Sequence, residues 1–188
     1  MKKIYFDTEF TGLHQNTTLL SLALVADTGE EFYAEFTDYD KSQSSPWLQE
    51  QVICNLFLDK KNLSYTNHKM HLIGNKDAIK CALQIWINQF GVQKNEKDEI
   101  IPSIQIWADV PHYDWVLFCE LFGGAFGIPK QIHYMPMDAA TLLNIQNIDI
   151  NIVRTTLIDT EKLPQSLKQH NALYDAYTVK LLVEKYHK

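Results

Sequence analysis

The chain has 188 residues, 46% of them hydrophobic and 21% charged, with a formal net charge of −6. That size suits one domain, residues 1–188, around a single core, and the composition is ordinary for a globular enzyme. No apolar run is long enough to span a bilayer and the N-terminus carries no secretory core, so a cytoplasmic protein is expected. Three cysteines, Cys54, Cys81 and Cys119, lack Cys-x-x-Cys spacing and have apolar neighbours, which argues against a disulfide framework and for buried free thiols.

In chain order, residues 3–8 read as a short buried strand ending in polar residues, 18–26 as a second strand and 30–37 as a third, with the turn signal Asp27-Thr28-Gly29 between the last two. This predicts an opening antiparallel meander. Residues 38–75 are less legible. Residues 42–46 read as a loop, 47–57 as a helix begun by Ser45-Pro46, and 62–75 as a polar stretch of ambiguous structure. Apolar spacing at Ile79, Leu83, Trp86, Ile87 and Phe90 predicts an amphipathic helix over 76–90, ended by Gly91. A charged loop follows over 92–101, then a strand over 104–107 and a helix over 111–122 closed by Gly123-Gly124. Residues 131–135 read as another short strand, and Asp138 as the N-cap of a helix through Leu143. The last helix runs from Asn171 to about Tyr186. Strands come first and then alternate with helices, so the expected class is α/β with a mixed sheet.

The chemistry concentrates at two places. Asp7 and Glu9 end the first strand, and residues two apart on a strand share a face, so both carboxylates project together. Their repulsion requires compensation, and an oxygen-rich pair of this kind suits Mg²⁺ or Mn²⁺. Thr11-Gly12-Leu13 follows at once. Gly12 allows close approach of backbone to a ligand, the Thr11 hydroxyl can bond a sugar, and Leu13 offers an apolar edge to a base. Near the other end, His170 precedes the last helix and Asp175 lies about one turn into it, a spacing that can bring both to one site. The acidic balance argues against a nucleic-acid partner only until a carboxylate cluster loaded with divalent cations is considered, since the ions reverse the local sign. Arg154 is the sole arginine, so phosphate contacts would rest mostly on lysines and backbone amides, Lys130, Lys168 and Arg154 among the candidates. His68, Lys69, Met70 and His71 have the wrong spacing for a metal on one helical face. Trp47, Trp86, Trp107 and Trp115 read as core or groove packing rather than base-stacking platforms.

The run Asp7-Thr8-Glu9-Phe10-Thr11-Gly12-Leu13, together with His170, four residues and Asp175, resembles the first and third motifs of the DEDDh (DnaQ-like) 3′–5′ exonuclease superfamily. The order and position of the motifs are similar over essentially the whole chain. The overall look is closest to a small bacterial and phage exoribonuclease branch, typified by a mycobacterial enzyme. The resemblance implies a ribonuclease-H-like fold, a mixed central sheet flanked by helices. It also implies a second-motif carboxylate on a central helix after an aromatic residue. Tyr113-Asp114 supplies it, with Asp109 as the competitor. By resemblance, Asp7, Glu9, Asp114 and Asp175 would hold two Mg²⁺ or Mn²⁺ ions, His170 would take the proton from the attacking water, and Phe10, Thr11, Gly12 and Leu13 would contact the substrate. The substrate would be the single-stranded 3′ end of RNA, with DNA as the alternative. A catalytically inactive nucleic-acid-binding module is the reading from another class. A homodimer is expected by resemblance alone. The chain departs from oligoribonuclease over residues 38–75 and in the lead-in Trp107-Ala108-Asp109.

Overall fold

A computed structural model describes residues 1–58 and 62–187. Its strands and helices are, in chain order, β1 (Lys2–Phe10), β2 (Leu19–Ala26), β3 (Glu31–Phe36), α1 (Pro46–Gln51), β4 (Ser64–Tyr65), β5 (Lys69–Gly74), α2 (Lys76–Asn88), β6 (Gln93–Lys94), β7 (Ile100–Ile101), β8 (Ile104–Ala108), α3 (His112–Leu121), β9 (Met137–Asp138), α4 (Ala139–Ile145) and α5 (Ala172–Tyr186). Seven strands form one sheet in the order β4-β5-β3-β2-β1-β8-β9. The opening meander is antiparallel as expected, whereas β5 runs parallel to β3, and β8 and β9 continue parallel to β1. The mixed sheet flanked by helices is the architecture that the sequence reading implied.

The central strands are covered on both faces, which is why β2 is buried along its whole length. Ile4, Phe6, Leu22 and Leu24 pack with Ile79, Leu83, Trp86 and Phe118 of α2 and α3. On the opposite face Tyr5 joins Val179 and Val183 of α5, and Ala23 and Val25 meet Leu173 and Ala176 of the same helix. Alternation along β1 therefore sends Tyr5, Asp7 and Glu9 toward α5, and Phe6 and Thr8 toward α3. The β1–β2 register shifts between Glu9 and Phe10, the kind of irregularity that re-aims side chains beside active sites.

The structure corrects several expectations. Residues 62–75 hold the hairpin β4–β5. Its polar look comes from buried His71, whose Nε2 lies 3.1 Å from Glu31 Oε2 on the neighbouring strand. This pairing ties β5 to β3. The helix expected over 47–57 stops at Gln51 and gives way to a 3₁₀ turn, Ile53–Asn55. The expected loop at 92–101 is a small separate hairpin, β6–β7. Within 131–135 only Ile132 bridges to the sheet, and the strand proper is β9. Cys119 is buried, but Cys54 and Cys81 are exposed. On α2, Ile79 and Leu83 face the core, and a residue midway between two such positions points to solvent. Asp138 caps α4 as expected, accepting from the N–H groups of Ala140 and Thr141.

Candidate active site

The ends of β1, β8 and α5 meet at one cleft of about 440 Å³, lined by Asp7, Glu9, Asp109, Asp114, His170 and Asp175. Each element places its carboxylate for a local reason. Asp7 and Glu9 follow from β1 alternation. Asp114 sits in the first turn of α3, where an acidic residue favours the helix dipole. It is buried, and its Oδ1 accepts from the Thr8 N–H at 3.1 Å and the Thr8 hydroxyl at 2.6 Å. Asp175 lies in the first turn of α5, and its Oδ2 accepts the His170 backbone N–H at 2.8 Å.

Asp114 and its competitor stand in different surroundings. Asp109 lies in the same cleft but is paired bidentately with Arg154, Nε to Oδ2 at 2.7 Å and Nη2 to Oδ1 at 3.2 Å. Arg154 further donates through Nη1 to the Ile150 and Ile152 carbonyls, so it clamps the segment before the 3₁₀ turn Arg154–Leu157 to the end of β8 instead of standing free for phosphate. Lys130 and Lys168 are exposed and lie outside the cleft. Val110, next to Asp109, has φ 52, an uncommon conformation for a β-branched residue and a sign of strain beside the site.

The electrostatics are those of an acidic cluster short of positive charge. Burial, then the charges of Asp175, Asp114, Glu9 and Asp109, push the Asp7 carboxyl well above its ordinary range. Burial and the Asp175 and Asp114 charges raise Glu9 to about 8. Asp175 is raised to about 7 by burial and by Asp109, against the lowering effect of the His170 N–H. Burial also raises Asp114, opposed by its bonds from Thr8. A divalent cation relieves this strain directly. Glu9, His170 and Asp175 have ligand atoms within 4.8 Å of one another, the one such group among the described residues. Carboxylate oxygens suit Mg²⁺ or Mn²⁺, so the acidic residues of the cleft fit such ions.

His170 is held in the left-handed region, φ 64, by its neighbours in both directions. The buried Asn171 side chain donates to the Tyr33 hydroxyl at 3.2 Å and to the Asn55 carbonyl at 2.8 Å, while Asn55 Nδ2 returns a bond to the Gln169 carbonyl at 3.1 Å. Tyr33 in turn donates to Glu35, which also accepts the N–H groups of Phe57 and Leu58. The segment following α1 and the histidine loop are thereby laced together.

Beside the carboxylates lies an apolar pocket lined by Phe10, Gly12, Leu13, Trp47 and Leu48, with Glu9 shared between the two. Leu13 and Trp47 are 77% and 57% exposed, and the Trp47 ring meets the His170 ring edge-on at 5.5 Å. Trp47, read from the sequence as core or groove packing, lines this pocket. Thr11 differs from expectation too. Its hydroxyl is buried, accepts from the Thr18 N–H at 2.9 Å and bonds Gln43, so it braces the loop while the residue also lines this pocket. A Cβ at Gly12 would lie 3.0 Å from the ring of exposed His14, which would have to turn aside.

Comparison with known proteins agrees with this geometry. The family model described as the 3′–5′ exoribonuclease Rv2179c-like domain matches residues 2–187. Two curated relatives, 3′–5′ exoribonuclease Rv2179c of Mycobacterium tuberculosis strain H37Rv and 3′–5′ exoribonuclease MT2234.1 of strain CDC 1551, are each 25% identical over 130 residues, covering 69% of this chain and 67% of theirs. The crystal structure of cell-death related nuclease 4 (CRN-4) shares the fold, with a TM-score of 0.50 at 10% identity, over 98% of this chain and 62% of that one. From the match along nearly its whole length, the chain belongs to the Rv2179c-like 3′–5′ exoribonuclease family.

Proposed function

We propose that this chain is a DEDDh-type, two-metal-ion exonuclease that removes nucleoside 5′-monophosphates from the single-stranded 3′ end of RNA, its 188 residues acting as one catalytic domain. The observation that carries the reading is the convergence of Asp7, Glu9, Asp114, Asp175 and His170 in one cleft beside an apolar pocket. Membership of an exoribonuclease family supports RNA over DNA. In this reading Asp7, Glu9, Asp114 and Asp175 hold the metal ions. Bound there, two Mg²⁺ or Mn²⁺ ions would supply Lewis-acid stabilisation of the attacking and leaving oxygens.

The chain's own residues do the rest. The His170 imidazole accepts the proton of the attacking water, a task suited to a histidine near neutral pH. Asp175 fixes that histidine through its backbone N–H, and Asn171 fixes it from the other side. Leu13 and Trp47 flank the 3′-terminal base, with Phe10 at the pocket floor, and Asp109 stays out of the metal set because Arg154 neutralises it. No helix among the described residues is long and apolar enough to cross a membrane. The reading includes a cytoplasmic homodimer, which sedimentation velocity would check.

The test is a gel assay of 5′-labelled RNA and DNA of one sequence, with Mg²⁺, Mn²⁺ or EDTA. A metal-dependent ladder shortening from the 3′ end, faster on RNA and absent in Asp7→Ala and His170→Ala, is expected. Faster cleavage of DNA would select the DNA reading, and undiminished activity in Asp7→Ala would sink the two-metal reading.

A further inference from the structure

On the far side of the Phe10 ring lies a second groove, about 410 Å³, that the reaction as described does not use. It is lined by His14 and Thr17 of the loop after β1, Lys76 at the start of α2, and His112, Tyr113 and Leu117 of α3. Two features join it to the active cleft. The Tyr113 ring stacks on Phe10, centroids 5.6 Å apart and 22° from parallel, so one aromatic pair is the wall between the two. Leu13 lines the apolar pocket and the next residue, His14, lines the groove, so one loop tip borders both.

The chemistry of the lining differs from that of the chain at large. In a protein of net charge −6 whose sole arginine is tied to Asp109, the groove offers an exposed lysine with no ion-pair partner among the described residues, two exposed imidazoles and an aromatic face. Glu120 is the one carboxylate of the lining, on the α3 turn beyond Val116 and Leu117. A lysine and imidazoles beside a stackable ring form the combination that tracks a single strand, binding phosphates by charge and bases by their faces without reading sequence.

We propose that this groove carries the nucleotides that precede the 3′-terminal one, with Lys76, His14 and His112 on their phosphates and the Tyr113 side of the aromatic wall against a base. The proposal rests on the exonuclease reading and extends it: a strand with its 3′ end among the carboxylates leaves over the Phe10–Tyr113 wall, so turnover favours oligonucleotides over dinucleotides.

The experiment compares kcat/KM for a dinucleotide and a hexanucleotide RNA in Mg²⁺, with the full chain and its variants Lys76→Gln and His14→Ala/His112→Ala. All three side chains are exposed, and a thermal melt checks that each variant is folded. The wild type is expected to prefer the hexamer by at least about tenfold, the scale of one stacked base. Each variant is expected to shrink that ratio, and Lys76→Gln to lower the salt slope of hexamer KM by about 0.7, one phosphate contact on a single strand. Cleavage of both RNAs with no preference for the hexamer, or equal losses on both in the variants, overturns the groove and leaves the exonuclease reading standing. Absence of cleavage by the folded wild type overturns that reading, and the groove proposal with it.

Discussion

Removing the metal from this site should make folding stability fall as pH rises, the reverse of an ordinary acidic protein leaving its acid-unfolding range. Glu9 moves from an ordinary 4.5 to about 8 in the folded chain, and Asp175 from 3.8 to about 7. A carboxyl raised on folding favours the protonated folded state. Below about pH 4 both states are protonated and nothing is lost. Above it the unfolded chain ionises first, and stability drops by about 1.4 kcal/mol per pH unit per group until the folded carboxyl ionises too. For Glu9 the full span, from 4.5 to about 8, amounts to roughly 5 kcal/mol. The total for the pair stays on that order, because keeping one proton relieves the other carboxylate. Set against a typical stability of about 5–15 kcal/mol, this is a large share. At about 2–4 °C per kcal/mol for a domain of this size, the melting temperature in EDTA should fall by roughly 10 °C or more between pH 5.5 and 8.5. Glu31 bears on the lower limit. Burial would raise it, but bonds from His71 and Tyr177 and the Lys69 charge hold it at about 2, so its contribution is complete above about 4.5 and lost only in stronger acid. Differential scanning fluorimetry in EDTA, with and without excess Mn²⁺, measures the effect. Mn²⁺ should raise the melting temperature far more at pH 8.5 than at 5.5, and Glu9→Gln should flatten the profile in EDTA. A melting temperature in EDTA that is level or rising from pH 5.5 to 8.5 would refute the reasoning.

Three further outcomes follow from the site. Asp114→Ala should cost more than about a hundredfold in kcat, while Asp109→Ala, which frees Arg154 but removes no proposed ligand, should remain measurably active; the opposite ranking would transfer the second-motif role to Asp109. Asn171→Asp keeps an N-cap acceptor for α5 but loses the amide donor to Tyr33 and Asn55. The buried carboxylate facing the Asn55 carbonyl also costs stability, so the variant should melt below wild type and, at temperatures where it is folded, lose about tenfold or more in kcat with little change in KM; an unchanged kcat would show that the histidine loop needs no such brace. Trp47→Ala should raise KM for RNA by about tenfold, the worth of one stacked base, and steady-state kinetics with KM unmoved would remove Trp47 from the base pocket.

The parts of this molecule governed by local rules were readable from the sequence. Asp7 and Glu9 share a face because β1 alternates, and α2, α4 and α5 announce themselves by caps and apolar spacing. Asn75, Asp138 and Asn171 each accept a backbone N–H at the helix start. What was hidden depends on contacts between distant segments. β5 looks polar because its buried histidine is matched by Glu31, 40 residues earlier, and no window on the sequence contains both. The Arg154–Asp109 pair spans 45 residues, so Asp109 could not be separated from Asp114 by spacing alone. Trp47 follows a proline at a helix start, a place that serves core and pocket equally, and only the return of the chain at His170 makes it a wall. The strand expected over 131–135 was displaced to Met137–Asp138 because that pair, next to the α4 cap, meets the end of β8.

α5 packs on β1 and β2 with the residues that also frame Asp175, while Asn171, at its start, ties down a loop more than a hundred residues earlier. The association that closes one face of the core is thus the same event that assembles the catalytic centre. Joining segments so far apart in the chain costs loop-closure entropy that the local meander does not. A chain in which α5 has not closed keeps Asp7 and Glu9 together on β1 but lacks Asp175 and His170 beside them. The five-residue cluster is consequently complete only in a chain whose last helix has closed on the sheet.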